Sequence, residues 1–405
     1  MKNTFYVSCP IDTYSGYGAR SRDFVKALIQ SNKYDVKILP QRWGNTPFGF
    51  IKDHEDEWGF LNSHMLALPN NQLDTQPDIW CQITVPNEFQ KIGKYNIGLT
   101  AGIETTVCAH QWIEGCNRMD LILTSSKHSK DVFEKTTYNG KNQNGDEILL
   151  KLETPCEVLI EGADLDVYKP LDTPMTNDTL FKSIDEIPES FAYLFVGHWM
   201  QGQLGEDRKN VGLLIKAFYE LFKNKKNKPA LVLKMSGGGA SYMDRYEMQK
   251  RINAIRNSVP KSDLPKAMVS LTKGEGFGRP LLEFSLTNKP VITTNWSGHI
   301  DFLKKDFTAL MDGKLSPLHK SSQQKDMLIE GSEWFNVDHG QVGHYLKDVF
   351  ENYKNWKVKG KRQGYYSRSN FSFSKMEEQL ENYLTKYLPT FSEQVQFQLP
   401  KLKKV

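Results

Sequence analysis

Lys273-Gly274-Glu275-Gly276-Phe277-Gly278-Arg279-Pro280-Leu281-Leu282-Glu283 lies between a short β-like run, Ala267 to Leu271, and an apolar helical pattern that begins at Leu281. Strand, glycine loop and helix in that order point free backbone N–H groups at whatever sits above the loop. Gly274, Gly276 and Gly278 are expected to allow positive φ and close approach of backbone to a ligand. Pro280 suits the first helical position, where a missing N–H costs nothing. Glu275 is then placed at the strand's end and Glu283 one turn into the helix, both facing one crevice. Carboxylates beside a phosphate site are poor phosphate ligands but good acceptors for sugar hydroxyls. The competing reading is an ordinary strand-to-helix turn with solvated carboxylates.

Outward from this stretch, strand and helix signals alternate in two blocks. Phe5 to Cys9 reads as a strand, Tyr14 to Gly18 as a glycine turn, and Ala19 to Gln30 as a helix with Phe24, Ala27 and Leu28 on one face. Ser21 stands where a dinucleotide fingerprint needs its third glycine, which argues against a nicotinamide oxidoreductase. Further strands are expected at Val36 to Pro40, Asp78 to Ile83, Asn96 to Thr100 and Leu121 to Thr124, with a surface loop from Tyr138 to Glu147. The aromatic stretch from Arg42 to Leu68 reads chiefly as packing on the sheet. Pro170 to Ser190 is the best linker. The second block restarts at Tyr193 to Gly197, passes Arg208-Lys209 into a helix from Leu213 to Phe222, and adds strands at Ala230 to Leu233 and Pro290 to Thr294. The expected architecture is α/β, two doubly wound Rossmann-like domains facing a cleft, over residues 1–180 and 190–370.

The 405 residues suffice for two or three domains with large cores, and 39% apolar residues is ordinary for a soluble protein. No apolar run reaches membrane-spanning length and the start runs directly into a strand, so a cytoplasmic protein is expected. Five scattered cysteines, an odd number, read as reduced core thiols. A net charge of +4 permits an anionic partner, and basic clusters occur at Lys223 to Lys228, Lys354 to Arg362 and the C-terminus.

The Glu-x7-Glu pair around Gly-Phe-Gly-Arg-Pro resembles the signature of family-4 retaining glycosyltransferases with the GT-B fold. That resemblance covers most of the chain, is strong in the second half, and implies a hexosyl- or pentosyltransferase that uses a nucleotide-sugar donor. It implies catalytic roles for Glu275, Lys209 and Arg208. Donor contacts would come from Glu283, Gly276, Phe277, Gly278, Gly16, Gly18 and Gly197. His110 and Glu104 become candidates on the acceptor side, and Gly102 to Thr106, Trp112, Asp120 and Ser125-Ser126 would line the cleft floor. A helix over 371–390 would cross back to the first domain. No cofactor and no metal are implied; Asp164-x-Asp166 resembles part of the element that closes the first domain, not a metal pair. His198-Trp199 departs from the family, where an arginine follows the strand glycine, and Arg208 is the candidate replacement.

The strings Thr-Lys-Gly-Glu-Gly-Phe-Gly and Trp-Ser-Gly-His-x-Asp-Phe also resemble glycosyltransferases of large tailed phages. This implies a hydroxymethylated pyrimidine in duplex DNA as acceptor, reached by base flipping in the host cytoplasm. Transfer to a polysaccharide, lipid or small metabolite is the alternative. A non-catalytic sugar- or nucleic-acid-binding module is the rival of another class.

Overall fold

A computed structural model describes residues 2–66, 73, 75–141, 146–170, 189–223, 225–236, 248, 251–252 and 267–391. Most of the expected linker, the Gly237 to Gly239 run and the basic C-terminal tail lie outside these residues. The first domain is built on β1 (Asn3–Cys9), β2 (Tyr34–Pro40), β3 (Ile79–Ile83), β4 (Tyr95–Thr100) and β5 (Leu121–Thr124). The segment Tyr138 to Glu147, expected to be a loop, instead opens a hairpin of β6 (Tyr138–Lys141) and β7 (Glu147–Leu150). With β8 (Cys156–Val158) the first sheet has six strands in the order β2-β1-β3-β4-β5-β8, and every neighbouring pair is parallel. Parallel sheets are covered on both faces, which is why Ile79-Trp80-Cys81-Gln82-Ile83 is buried at every position.

The second domain repeats the plan with β9 (Ala192–His198), β10 (Ala230–Ser236), β11 (Ala267–Val269), β12 (Val291–Thr294) and β13 (Ala309–Met311). Its five strands run β10-β9-β11-β12-β13, again all parallel. In both sheets the chain order reverses beside the first strand, between β1 and β3 and between β9 and β11. Ligands of open α/β sheets bind in the crevice outside the carboxyl ends of the strands at such a reversal. An antiparallel hairpin, β14 (Gly313–Pro317) and β15 (Glu333–Val337), extends the second domain.

Each sheet has its own apolar core. Phe5, Val7, Phe24, Leu28, Ile97 and Leu123 lie in the first, and Tyr193, Phe195, Leu214, Phe218, Val269 and Ile292 in the second. The helix Phe373–Tyr387 belongs to the first core: Met376, Leu380 and Leu384 recur at i, i+4 and i+8 and pack among its residues. Backbone bonds tie its start to Ala163, from Phe373 N to Ala163 O at 2.9 Å and from Ala163 N to Phe371 O at 2.9 Å. The chain therefore returns to the first domain after completing the second.

All five cysteines are buried free thiols, and burial pushes Cys9 and Cys156 up to about 12. Among the described residues no helix is long and apolar enough to cross a membrane.

Candidate active site

The loop that follows β11 carries the candidate site. β11 ends at Val269, so Glu275 stands six residues beyond it on the loop, not at the strand's end. Two devices fix it there. Its backbone N–H donates to Ser297 Oγ at 2.9 Å, and its carbonyl accepts from Gly298 N at 2.9 Å. Ser297 itself adopts φ 77°, a conformation rare for a residue with a side chain and found most often at functional sites.

The glycines of the loop serve a different neighbour from the one expected. A Cβ at Gly274 would stand 1.9 Å from the carbonyl oxygen of Glu104, and one at Gly276 would stand 2.3 Å from that of Ala101. These glycines admit the backbone of the first domain, because the two domains close directly on the loop. Only Gly278 uses the left-handed region, with φ 92°, and it precedes the helix Arg279–Ser285.

Glu275 is the centre of a buried charge cluster. Its carboxylate pairs with the ammonium of Lys209 and lies 3.5 Å from the guanidinium of Arg208, which stands 3.3 Å from Glu104 as well. Arg208 also donates to the carbonyl of Gly274 at 3.1 Å. Burial alone would push the Glu275 carboxyl up. Lys209 and then Arg208 outweigh it and hold the group at about 2, so it is ionised at neutral pH. Burial disfavours the charged form of Arg208 and pulls its pKa down, but Glu104 and then Glu275 favour that form more strongly, and the pKa moves up. The turn bearing both cations rests on the loop itself, through Lys273 N to Arg208 O at 2.8 Å. Gly197, on β9, faces the same place: a Cβ there would meet Lys209 Cδ at 3.8 Å.

The remaining expected residues fall in three groups. Glu104 joins the cluster. Glu283 forms a second charged group with Arg279, whose Nε donates to it at 2.8 Å and whose Nη1 pairs with Asp23 of the first domain. Glu161 lies 4.0 Å from the same guanidinium, and burial before all else pushes the neighbouring Tyr168 hydroxyl up to about 12. Phe277 is a core residue, 5.0 Å from the ring of Phe302. Gly16 and Gly18 are in the first turn of the helix Gly16–Ser31, not in a turn before it, because Ser15 caps that helix through Gly18 N at 2.9 Å. Gly18 is required there, since a Cβ would stand 2.3 Å from Thr13 O.

The acceptor-side candidate His110 and two residues expected on the cleft floor, Asp120 and Trp112, each have partners of their own. His110 is exposed at the start of the helix His110–Asn117, and its contacts are Glu114, at 3.2 Å, and the Tyr138 ring. Asp120 precedes β5 and accepts from Asn96 N at 2.8 Å, at the amino end of parallel strands whose carboxyl ends face the cleft. Trp112 packs into a core with Phe133.

Sequence reasoning assigned no role to His299, which the structure buries completely beneath Glu275. Its Nε2 lies 2.7 Å from Thr294 O, its Nδ1 has no partner among the described residues, and burial lowers its pKa. The only sequence signal was its place in Trp-Ser-Gly-His. Asp23 carried none, since its partner is 256 positions away.

No protein-family model matches the chain, and no curated protein matches it in sequence. Solved structures do match in shape. A glycosyltransferase from Rickettsia africae is 14% identical with a TM-score of 0.62, over 95% of this chain and 98% of the other. Anabaena HepE in complex with UDP and glucose is 12% identical with a TM-score of 0.58, over 95% and 99%. Sucrose-phosphate synthase from Thermosynechococcus elongatus is 10% identical with a TM-score of 0.57, over 95% and 99%. With two parallel, doubly wound sheets meeting at their carboxyl ends, the chain has the GT-B fold.

Proposed function

We propose that the chain is a glycosyltransferase that moves a hexosyl or pentosyl group from a nucleotide sugar to an acceptor hydroxyl, with retention and without a metal ion. The observation that carries this reading is the Glu275–Lys209–Arg208 cluster at the closed junction of two GT-B domains. A buried lysine and a half-buried arginine there meet the chemical need of a departing diphosphate. The bond from the sugar C1 to the phosphate oxygen breaks and its electron pair stays on that oxygen, where Arg208 and Lys209 stabilise the charge. The acceptor hydroxyl oxygen bonds to C1 on the same face, through an oxocarbenium-like transition state, and its proton passes to the leaving phosphate. Glu275 accepts from donor-sugar hydroxyls. Glu283 accepts from the ribose, which requires it to share or release Arg279. Backbone at Gly276, Phe277 and Gly278, the start of the first helix at Gly16 and Gly18, and the end of β9 at Gly197 flank the donor. Glu104 holds Arg208 from the acceptor side.

The shape match to HepE, solved with UDP and glucose, supports a nucleotide-sugar donor. The family-4 and phage-like strings support a hydroxymethylated pyrimidine in DNA as acceptor. The test offers mixed nucleotide sugars with hydroxymethylated DNA, unmodified DNA, and a lipid and polysaccharide panel, and reads added sugar by mass spectrometry. Sugar on hydroxymethylated DNA alone, undiminished by EDTA, is the expected result. Transfer only to lipid or polysaccharide ends the DNA reading, and loss in EDTA restored by manganese ends the metal-free one. Glu283→Ala is expected to weaken donor binding by about 1.5–3 kcal/mol, the worth of a charged hydrogen bond, measured by calorimetry.

A further inference from the structure

Among the described residues, four helices compensate lysines within the helix itself. Lys130 faces Glu134, Lys135 faces Asp131, Lys216 faces Glu220, Lys347 faces Glu351 and Lys375 faces Glu378, each three or four residues away. The helix Tyr353–Asn370 breaks this rule. It carries Lys354, Lys357, Lys359, Lys361, Arg362 and Arg368, and no acidic residue occurs from Tyr353 to Met376.

Its inner face is fixed by packing. Trp356, Gly360, Gln363, Gly364 and Ser367 are buried; a Cβ at Gly360 would stand 2.8 Å from the carbonyl carbon of Lys289, just after the Glu283 helix, and one at Gly364 would stand 2.9 Å from the carbonyl oxygen of Ser285, that helix's last residue. With 3.6 residues per turn, the opposite side presents Lys354, Lys357, Val358, Lys361, Arg362 and Tyr365. All six are exposed, Val358 by 54% and Tyr365 by 71%. None of the four cations has an ion-pair partner among the described residues, whereas Arg368 is spent on Leu286 O and Asn288. From Lys354 to Arg362 this makes a positive stripe about 12 Å long, alongside which about three to four base pairs would lie.

We propose that this face docks the phosphate backbone of duplex DNA. As a hold on the acceptor polymer, the inference rests on the DNA-directed reading above; the contact itself rests on the helix alone. A membrane surface is the poorer fit, because an interfacial helix buries a broad apolar face rich in Trp, Phe and Leu. Here Trp356 is turned into the core, and only Val358 and Tyr365 accompany the charges outward. Separated cations with one exposed ring suit phosphates and a sugar edge. The stripe lies behind the Glu283 helix, outside the cleft, so it anchors a long polyanion while the cleft acts elsewhere on it.

The test measures anisotropy of a labelled, unmodified duplex of about twenty base pairs with the full chain, between about 50 and 200 mM salt. The variant carries Lys354→Gln, Lys357→Gln, Lys361→Gln and Arg362→Gln together. Glutamine keeps helix propensity, so far-ultraviolet circular dichroism and melting should match the wild type. Affinity at low salt is expected to fall by about tenfold or more, and the log–log salt slope to lose about 3–4, one counterion for each cation removed. Neutralising Lys223, Lys225 and Lys226 should leave the slope nearly unchanged. Absence of wild-type binding at low salt, or an unchanged slope in the fourfold variant, overturns the proposal. So does variant-sensitive binding to phosphatidylserine vesicles without binding to the duplex. Sugar transfer is scored separately: duplex binding lost in the variant, with no sugar on any DNA, keeps the docking face and removes the acceptor reading.

Discussion

At the scale of single residues, the decisive fact is that Glu275 and Lys209 are buried together, 7% and 9% exposed. Removing one member of a buried pair strands the other's charge, at a cost of about 3–5 kcal/mol. Lys209→Ala should therefore lower stability as well as turnover, while Lys209→Met with Glu275→Leu should recover most of the melting temperature and none of the activity. Thermal melts and activity assays of the two variants check this. The pH dependence follows from the sign of the Glu275 shift. Its folded value of about 2 lies below the ordinary carboxyl value of 4.5, so its contribution is complete above about 4.5 and disappears as pH falls toward 2. The melting difference between wild type and Glu275→Gln should be constant from pH 7 to about 5 and shrink below that. The sequence offered Glu275, Arg208 and Lys209 as candidates through the family resemblance carried by the Glu-x7-Glu stretch and by the basic pair ahead of a helix. It gave no sign that Arg208 also meets Glu104, since that contact joins two domains.

At the scale of elements, the glycine loop was legible as a strand-to-helix connection, and its glycines as sites of close approach. What approaches them is set by the other domain. Gly276→Ala puts a methyl group against the Ala101 carbonyl, and backbone does not yield as a side-chain tip does. The expected outcome is a loosened domain junction, seen as a larger radius of gyration in solution scattering with secondary structure intact. The first helix was legible too, but its start was misplaced by three residues. Glycine read as turn, whereas the Ser15 cap supplies what the helix needs to begin at Gly16. Ser15→Ala should cost about 1 kcal/mol, measured by chemical denaturation.

At the scale of the whole molecule, the domains are joined by polar contacts spread along their seam. Lys127 N donates to Asp301 at 2.8 Å, Thr106 and Glu333 exchange two bonds of 3.0 Å, and Arg279 reaches Asp23. Arg279→Ala leaves Asp23, Glu161 and Glu283 facing one another without their shared cation. The seam should open more often, with faster hydrogen exchange at Lys127 and Thr106 than in the wild type and unchanged exchange in β1 and β9. Unchanged exchange at the seam would show that Arg279 does not hold it. The sequence by itself determined the two doubly wound sheets, because hydrophobic periodicity and turn residues are local and each strand's burial is written in its own side chains. It also determined the chemical kinds of residue at the loop, since a glycine-rich stretch flanked by carboxylates has few other uses. Only the tertiary structure decided which of those residues meet. His299 lies under Glu275, Asp120 stands at the amino end of the first sheet, and Glu283 is engaged by Arg279, because these placements depend on how the chain and its two separately folded sheets are arranged in space.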